Sequence, residues 1–279
     1  MVVNQLKTVV LLGLLTALLL FVGNLIGGYN GLVMAGIFAL ILNFGSYWFS
    51  DKIVLAMYRA KEVTDKNHVL YKIVKEVANM AKIPMPKVYI IPTDASNAFA
   101  TGRNPNHAAV AATQGILSLL NHEELKGVIA HEIAHVRNRD ILISTIAGTI
   151  AGVISYIATM AQWAAIFGGR DRENSNFLSL ILLAIVTPII AALIQLAISR
   201  SREYMADATG AGIVKNSAGL ASALEKLENN VKNHPMRLGN QATAHLFITN
   251  PFKGQAFMTI LSTHPPMKER IKRLNEMKF

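Results

Sequence analysis

The chain alternates between long apolar stretches and polar segments. Residues 8–26 and 32–49 are almost wholly apolar, and a Gly-rich turn at 27–31 separates them. Residues 141–167 and 177–199 form a second apolar pair around a short polar loop. A helix needs about 20 apolar residues to cross a bilayer. The pattern therefore predicts four membrane spans, arranged as two hairpins.

A polar segment follows each hairpin, so the chain divides into four parts. The predicted boundaries are 1–50 for the first hairpin, 51–140 for the first polar segment, 141–199 for the second hairpin and 200–279 for the second polar segment. Whether the second hairpin crosses the bilayer or only dips into it, both polar segments lie on one side. We therefore expect them to form one domain.

The first polar segment is predicted to be mainly helical with a small sheet. Apolar residues recur at helical spacing before Pro84, which ends the helix. Residues 87–92 and 106–113 are predicted strands, and residues 97–102 between them are rich in turn residues. The expected architecture is a multi-pass α-helical membrane protein that carries a mainly α-helical domain with a small β-sheet.

The strongest chemical signal is an H-E-x-x-H motif at His131, Glu132 and His135. Residues four apart lie on the same face of a helix, so the two imidazoles can point at one metal ion. Zinc is the metal most often held in this way, and the glutamate then faces the water that the metal activates. The competing interpretation is an exposed helix whose Glu132 forms a solvated salt bridge.

Independent signals predict a helix around the motif. Asn121 followed three residues later by Glu124 is typical of a capping box. Apolar residues then recur at helical spacing and would bury one face of the helix: Leu125, Val128, Ile129 and Ile133. The motif is therefore predicted on a buried helix whose histidines face a cleft.

The third metal ligand is predicted in the second polar segment. A catalytic zinc takes three protein ligands and leaves one position for water. The metzincin extension of the motif would need Gly and His where this chain has Asn138 and Ile141, which excludes that class. Glu203 and Asp207 lie four apart just after the second hairpin, whose ends must be neighbours. Glu203 is the expected ligand, and Asp207 the expected hydrogen-bond acceptor of a ligand imidazole.

Composition and charge agree with a membrane protein. The chain is 52% hydrophobic and 16% charged, whereas soluble domains are about 25% charged. It has no Cys, so thiolate ligands, disulfides and a cysteine nucleophile are excluded. The net charge of +10 is spread along the chain without a nucleic-acid-binding motif, so no nucleic-acid partner is expected. Lys and Arg flanking the apolar stretches predict that both termini and both polar segments face the cytoplasm.

Four motifs in fixed order, NAFATG, HEIAHVRNRD, SRSREYMAD and THPPMKERI, resemble those of the HtpX family. This family comprises heat-shock membrane zinc metalloproteases of bacteria and is related to the CAAX prenyl proteases. The resemblance implies a zincin-like (gluzincin) catalytic domain with one Zn²⁺ per chain. It also implies quality control in the cytoplasmic (inner) membrane, with unfolded or damaged membrane proteins as substrates and further quality-control proteins as partners.

The resemblance also implies roles for individual residues. His131, His135 and Glu203 match the zinc ligands, and Glu132 matches the catalytic glutamate. The other matched positions are Asp207 and Asp140, expected to orient the ligands; Asn97, Ala98 and Phe99, expected to line the substrate cleft; and His264 and Arg270, expected near the reacting carbonyl. From the residues alone, His264 is equally well explained as part of a capped turn before two prolines.

Three other functions stay open at this point. An intramembrane protease also carries H-E-x-x-H, but the charged residues around the motif here are too polar for bilayer depth. A CAAX-type processing enzyme would be expected to have a larger helical chamber than four spans. A zinc-binding scaffold without catalysis would cleave no unfolded substrate.

Overall fold

The computed structural model describes residues 2–150, 200–233, 246–248 and 265–279. Most of the predicted second hairpin and the predicted catalytic residue His264 lie outside these ranges. The apolar stretch predicted to begin at Ile141 is described as a helix, α5, over Ile141–Ile150.

The first hairpin is one long helix folded back at two glycines. Helix α1 spans Val2–Met57 and is interrupted at Gly27 and Gly28, where Gly28 has a φ of 55° that favours glycine. The two halves lie side by side, and Asn43 Nδ2 donates to Thr16 Oγ1 at 2.8 Å. This hydrogen bond joins the two halves, as polar side chains inside apolar helices commonly do.

The second half of α1 presents a large apolar surface. Among the described residues, Gly27–Met57 is the helix long and apolar enough to span a membrane. Its side chains Leu40 and Ile41 are 73% and 65% exposed. The start of α5 packs against α1 in a separate cluster of buried residues, which includes Leu15 and Ile146. Uncovered apolar surface of this extent is typical of a lipid-facing helix.

A four-stranded sheet connects α1 to the rest of the chain. Its strands are β1 (Lys61–Glu62), β2 (Lys87–Ile91), β3 (Ala98–Gly102) and β4 (Ala108–Thr113), in the order β1-β2-β4-β3. Strand β2 runs parallel to β4, and the other pairs are antiparallel. The prediction of a turn-rich segment at 97–102 was wrong, because small residues there form an edge strand that pairs closely with the alanines of β4.

Helix α4 (His122–Asn138) is the centre of the helical layer. Around it lie α2 (Val69–Ala81), α3 (Gln114–Leu119), α6 (Arg200–Val214), α7 (Ala218–Asn233) and α8 (Met267–Glu276). Two glycines allow close approach to α4. A Cβ atom at Gly210 of α6 would lie 2.9 Å from the Ala130 carbonyl carbon, and one at Gly127 would lie 2.6 Å from the Leu220 nitrogen of α7. The apolar face predicted for α4 is buried.

The first turn of α4 is anchored by the predicted capping box. Asn121 Oδ1 accepts from the Glu124 backbone N–H at 3.0 Å, and Glu124 Oε2 accepts from the Asn121 N–H at 2.9 Å. The buried Glu124 carboxylate also accepts from Ser222 Oγ at 2.6 Å and Lys226 Nζ at 2.8 Å, both on α7. Burial alone would raise the pKa of Glu124, but these hydrogen bonds hold it below its ordinary value. Glu124 therefore fastens α4 to α7.

Replacing Glu124 with Gln should lower the free energy of unfolding at pH 7 by about 1–3 kcal/mol, because charge-assisted hydrogen bonds are lost. Since the folded-state pKa lies below the unfolded-state value, the carboxylate contributes above that unfolded pKa, and its contribution fades as pH falls through the folded pKa. Chemical unfolding in detergent at neutral and acidic pH measures both effects. The neighbouring exposed Glu123→Gln is the control, and equal losses in both variants would contradict the assignment.

Candidate metal centre

Helix α4 places two imidazoles face to edge. The ring centroids of His131 and His135 are 4.7 Å apart at 87°, and their Nε2 atoms are 3.1 Å apart. Two nitrogens bound to one tetrahedral zinc at the usual bond length would be about 3.3 Å apart. The pair therefore has the spacing that one shared metal ion requires.

Helix α6 brings a carboxylate to the same point. Glu203 Oε1 lies 3.6 Å from His135 Nε2, and Glu203 Oε2 lies 3.8 Å from His131 Nε2. One donor atom from each of the three residues lies within 4.8 Å of the others, the one such group among the residues that the structure describes. Two imidazoles and a carboxylate are a donor set that suits a catalytic zinc. The close contact of Gly210 with α4 puts Glu203 within reach.

Each imidazole is oriented by a buried carboxylate. His131 Nδ1 lies 2.9 Å from Asp207 Oδ1, and His135 Nδ1 lies 3.1 Å from Asp140 Oδ2. A carboxylate can only accept, so each Nδ1 carries a hydrogen, and the two Nε2 atoms are left to face the shared position. Asp207 and Asp140 thus each lie against the Nδ1 atom of one of the two histidines.

The centre holds an excess of negative charge. Burial alone would lower the pKa of His135, but the charges of Asp140, Glu203 and Glu132 outweigh it and raise the pKa to about 10. The pKa of His131 is lowered instead. Burial lowers it, and the opposing effect of Asp207 is smaller, so this imidazole stays neutral. The carboxylates thus stabilise a positive charge on His135. A divalent cation at the shared position would neutralise the same negative charge.

Asp207 is held ionised by Arg270 of α8. Arg270 donates from Nε to Asp207 Oδ2 at 2.9 Å and from Nη2 to Oδ1 at 2.7 Å, and it is fully buried. Burial alone would raise the pKa of Asp207, but the guanidinium outweighs it and lowers the pKa to about 2. Arg270 Nη1 also donates to the Ile248 carbonyl at 3.1 Å. A continuous chain of contacts therefore runs from α8 through Asp207 to His131.

Glu132 lies beside the three-residue group and contacts the sheet. Its Oε2 accepts from the Ala100 backbone N–H of β3 at 2.8 Å. Burial of the carboxyl, with a smaller contribution from the charge of Glu203, raises the pKa of Glu132 to about 8. A carboxyl with such a pKa exchanges protons readily near neutral pH.

The outward edge of β3 faces this centre and is partly covered. Besides the Ala100 N–H, its outward groups include the Ala98 carbonyl, which accepts from the Ile248 N–H at 3.2 Å. Phe247 packs edge-on against Tyr58 at 5.0 Å and Phe99 at 5.2 Å. Residues 246–248 therefore cover part of this edge. The turn-rich composition of residues 232–250 predicts a loop that could cover the cleft, but it does not indicate which residues make the contact. The further signal is three consecutive apolar residues within this polar stretch.

The structure brings most of the predicted residues together. His131, His135, Glu203, Glu132, Asp207, Asp140 and Arg270 converge, and Ala98 lies on the adjacent strand edge. The Asn97 side chain accepts from the Ala98 N–H at 3.1 Å. Phe99 packs instead with Tyr58 and Phe247, apart from the cluster that includes α4. His264 lies outside the described residues.

Comparison with known proteins identifies the family. The sequence profile of peptidase family M48 matches residues 64–278, which include every residue of the centre. The chain belongs to peptidase family M48. M48 membership, the two-histidine and glutamate donor group and the apolar α1 together make it a membrane zinc metallopeptidase.

Relatives of this M48 peptidase cover nearly its whole length. A protein of Desulfatibacillum aliphaticivorans is 57% identical over 97% of the chain and 89% of its own length. One of Syntrophotalea carbinolica is 56% identical over 98% of the chain and 99% of its own length. Both are described as Protease HtpX homolog, so the resemblance drawn from the four motifs is confirmed.

A solved structure shares the fold of this M48 peptidase. S. mikatae Ste24p superposes with a TM-score of 0.50 at 17% identity, over 98% of this chain and 66% of that chain. At this identity the likeness concerns the fold alone. It agrees with a mainly helical arrangement with a small sheet.

Replacing Asp207 with Asn should weaken zinc binding about 10- to 100-fold, because His131 loses the acceptor that orients its ring. Zinc affinity is measured by competition with a chelator, and thermal unfolding verifies that the variant is folded. Glu225→Gln, an exposed acid on α7, is the charge-matched control. A folded Asp207→Asn variant with undiminished zinc affinity would show that this hydrogen bond does not support the ligand.

Proposed function

We propose that the chain is an endopeptidase of the bacterial cytoplasmic membrane that cleaves unfolded or damaged membrane proteins during quality control. One Zn²⁺ is held by His131, His135 and Glu203, and Glu132 is the general base. The observation that carries the proposal is the convergence of three buried side chains, His131, Glu132 and Glu203, and the partly exposed His135 beside the edge strand β3. The relatives described as proteases support the activity.

A zinc ion held by His131, His135 and Glu203 would supply Lewis-acid chemistry: it would polarise a peptide carbonyl and lower the pKa of a water molecule. Glu132 removes the proton from this water, whose oxygen adds to the carbonyl carbon. Glu132 then delivers the proton to the departing amine as the C–N bond breaks. The Ala100 N–H holds one Glu132 oxygen in place at 2.8 Å, which fixes the carboxylate for both transfers.

Arg270 acts in this proposal as a positioning residue. It was predicted near the reacting carbonyl, but three of its N–H groups are directed at Asp207 and at the Ile248 carbonyl. These contacts support a role in keeping Asp207 charged and His131 aligned. The prediction that His264 stabilises the oxyanion stays a prediction.

The finer topology is also part of the proposal. Four spans with both polar segments and both termini in the cytoplasm are supported by the α1 hairpin, by the packing of α5 against it and by flanking Lys and Arg. The end of α4 and the start of α6 meet at the metal centre, as expected if residues 141–199 form a membrane hairpin between them.

Changing Glu132 to Gln should leave zinc content near one ion per chain but reduce hydrolysis about 100- to 10,000-fold, because the base is lost. Degradation of casein by purified protein in detergent with zinc, beside elemental analysis, measures both. Glu123→Gln is the matched control. Undiminished cleavage by Glu132→Gln would refute the role, and an inactive wild-type protein would favour the scaffold alternative.

We further propose that the substrate binds as an extended strand on the outer edge of β3, along residues 97–99, next to the Ala100 N–H that holds Glu132. Adding a strand to a sheet edge satisfies main-chain hydrogen bonds of an unfolded chain with little regard to sequence. In the structure, the Ala98 carbonyl already accepts a hydrogen bond from the Ile248 N–H. A substrate strand must therefore displace residues 246–248 to pair with that carbonyl.

Phe247→Ala should lower the KM for an unfolded substrate roughly tenfold, because two aromatic contacts that hold residues 246–248 in place are lost. Steady-state kinetics with a fluorogenic unfolded substrate measures KM. Ile73→Ala is the control for general destabilisation. It removes a buried side chain of α2 that belongs to the hydrophobic cluster around α4, not to the cluster that contains Phe247. An unchanged or higher KM in Phe247→Ala would show that these residues do not compete with substrate.

A further inference from the structure

A pocket apart from the metal centre lies at the end of the apolar α1, beside the β3–β4 connection. It has a volume of about 450 Å³. One wall consists of aromatic side chains of α1: Phe44, Trp48 and Phe49. The other contains Lys52 and Asp51 of α1, together with Arg103 and His107 of the connection between the strands. This pocket is called the α1–β3 pocket below.

Two cations line the α1–β3 pocket without carboxylate partners. The Arg103 guanidinium lies 4.6 Å from the Trp48 ring centroid, and Lys52 Nζ lies 5.5 Å from that of Phe49. Within the described part of the chain, neither cation forms an ion pair. Arg103 is half-buried and Lys52 is exposed. Cations held on aromatic faces keep their hydrogen-bond donors available for an anion.

The position of the pocket along α1 suggests which anion it binds. The aromatic side chains follow a strongly apolar stretch, as tryptophan and tyrosine do at the boundary between hydrocarbon and headgroups. Trp48 and Phe49 are 45% and 46% exposed, and Leu40 and Ile41, about two turns earlier, are more exposed still. A soluble anion would use only the cations. A phospholipid would use the cations with its phosphate and the apolar side chains with its acyl chains.

We propose that the α1–β3 pocket binds an anionic glycerophospholipid, with its headgroup phosphate between Lys52 and Arg103 and its acyl chains along the exposed face of α1. Asp51 also lines this pocket. Because its carboxylate could bind the choline group of a zwitterionic lipid, phosphatidylcholine is the nearest competing ligand. Two cations against one acid leave a net positive charge, which favours a net negative lipid.

The pocket also connects the lipid to the catalytic sheet. Arg103 directly follows β3, three residues after Ala100, whose N–H holds Glu132. The connection is fixed at both ends: Gly102 has a φ of 134°, and Asn104 Oδ1 accepts from the N–H groups of Asn106 and His107. A lipid bound here would join α1 to β3. An effect of this lipid on peptide hydrolysis rests on the proposed role of Glu132, whereas binding itself does not.

Trp48 provides a direct reporter of binding. The chain has two tryptophans, so Trp163→Phe leaves Trp48 as the remaining one. The purified full-length Trp163→Phe protein in detergent is titrated with phosphatidylglycerol brominated on its acyl chains, which quenches nearby tryptophan. We expect saturable quenching, and about a tenfold higher half-saturating concentration in Arg103→Gln or Lys52→Gln. The same titration with brominated phosphatidylcholine should show much weaker, non-saturating quenching.

Two controls distinguish specific binding in this pocket from the non-specific electrostatic attraction of an anionic lipid to a basic protein. Arg59→Gln removes the same charge near the end of α1 but from outside the pocket, and it should bind like the parent. Soluble glycerol 3-phosphate should not compete at matching concentration. Equal weakening in Arg59→Gln, equal quenching by both lipids, or full competition by glycerol 3-phosphate would each overturn the proposal. Quenching as expected in a protein without peptidase activity would overturn the proposed function and leave the lipid site standing.

Discussion

The close packing of α6 against α4 is the constraint on which the metal centre depends. Gly210 lies against the Ala130 backbone, where a side chain would clash, and the two helices can therefore approach closely enough for Glu203 to face His131 and His135. Gly127 has the same function towards α7. Two polar segments that are far apart in the sequence thus become one domain, and neither segment alone contains a complete donor set.

Buried charge is arranged so that each acid has a defined partner. Asp207 is paired with Arg270 and His131, and Asp140 with His135, whereas Glu124 is satisfied by α7 at the opposite end of α4. Removing a partner from such a group leaves a desolvated charge, which costs several kcal/mol. Glu203 and Glu132 are the acids that face the common position of the two Nε2 atoms, and this is where a divalent cation and a water molecule are needed.

The sequence contained the local features of this centre more clearly than the long-range ones. Helical periodicity and the capping box at Asn121 correctly placed α4, and the four-residue spacing put both histidines on one face. The sequence predicts a turn at residues 97–102 because Asn97, Gly102 and the alanines are depleted in strands, whereas β3 forms through its pairing with β4. The contact of Ile248 with Ala98 and the pairing of Arg270 with Asp207 depend on tertiary packing that no local pattern encodes.

X-ray absorption at the zinc edge of the purified protein tests the central claim most directly. It should show one zinc per chain bound to two imidazole nitrogens and at least one oxygen at about 2.0–2.1 Å, and the imidazole scattering should weaken by half in His131→Ala. A spectrum with fewer than two imidazoles in the wild-type protein, or one unchanged by His131→Ala, would contradict the account.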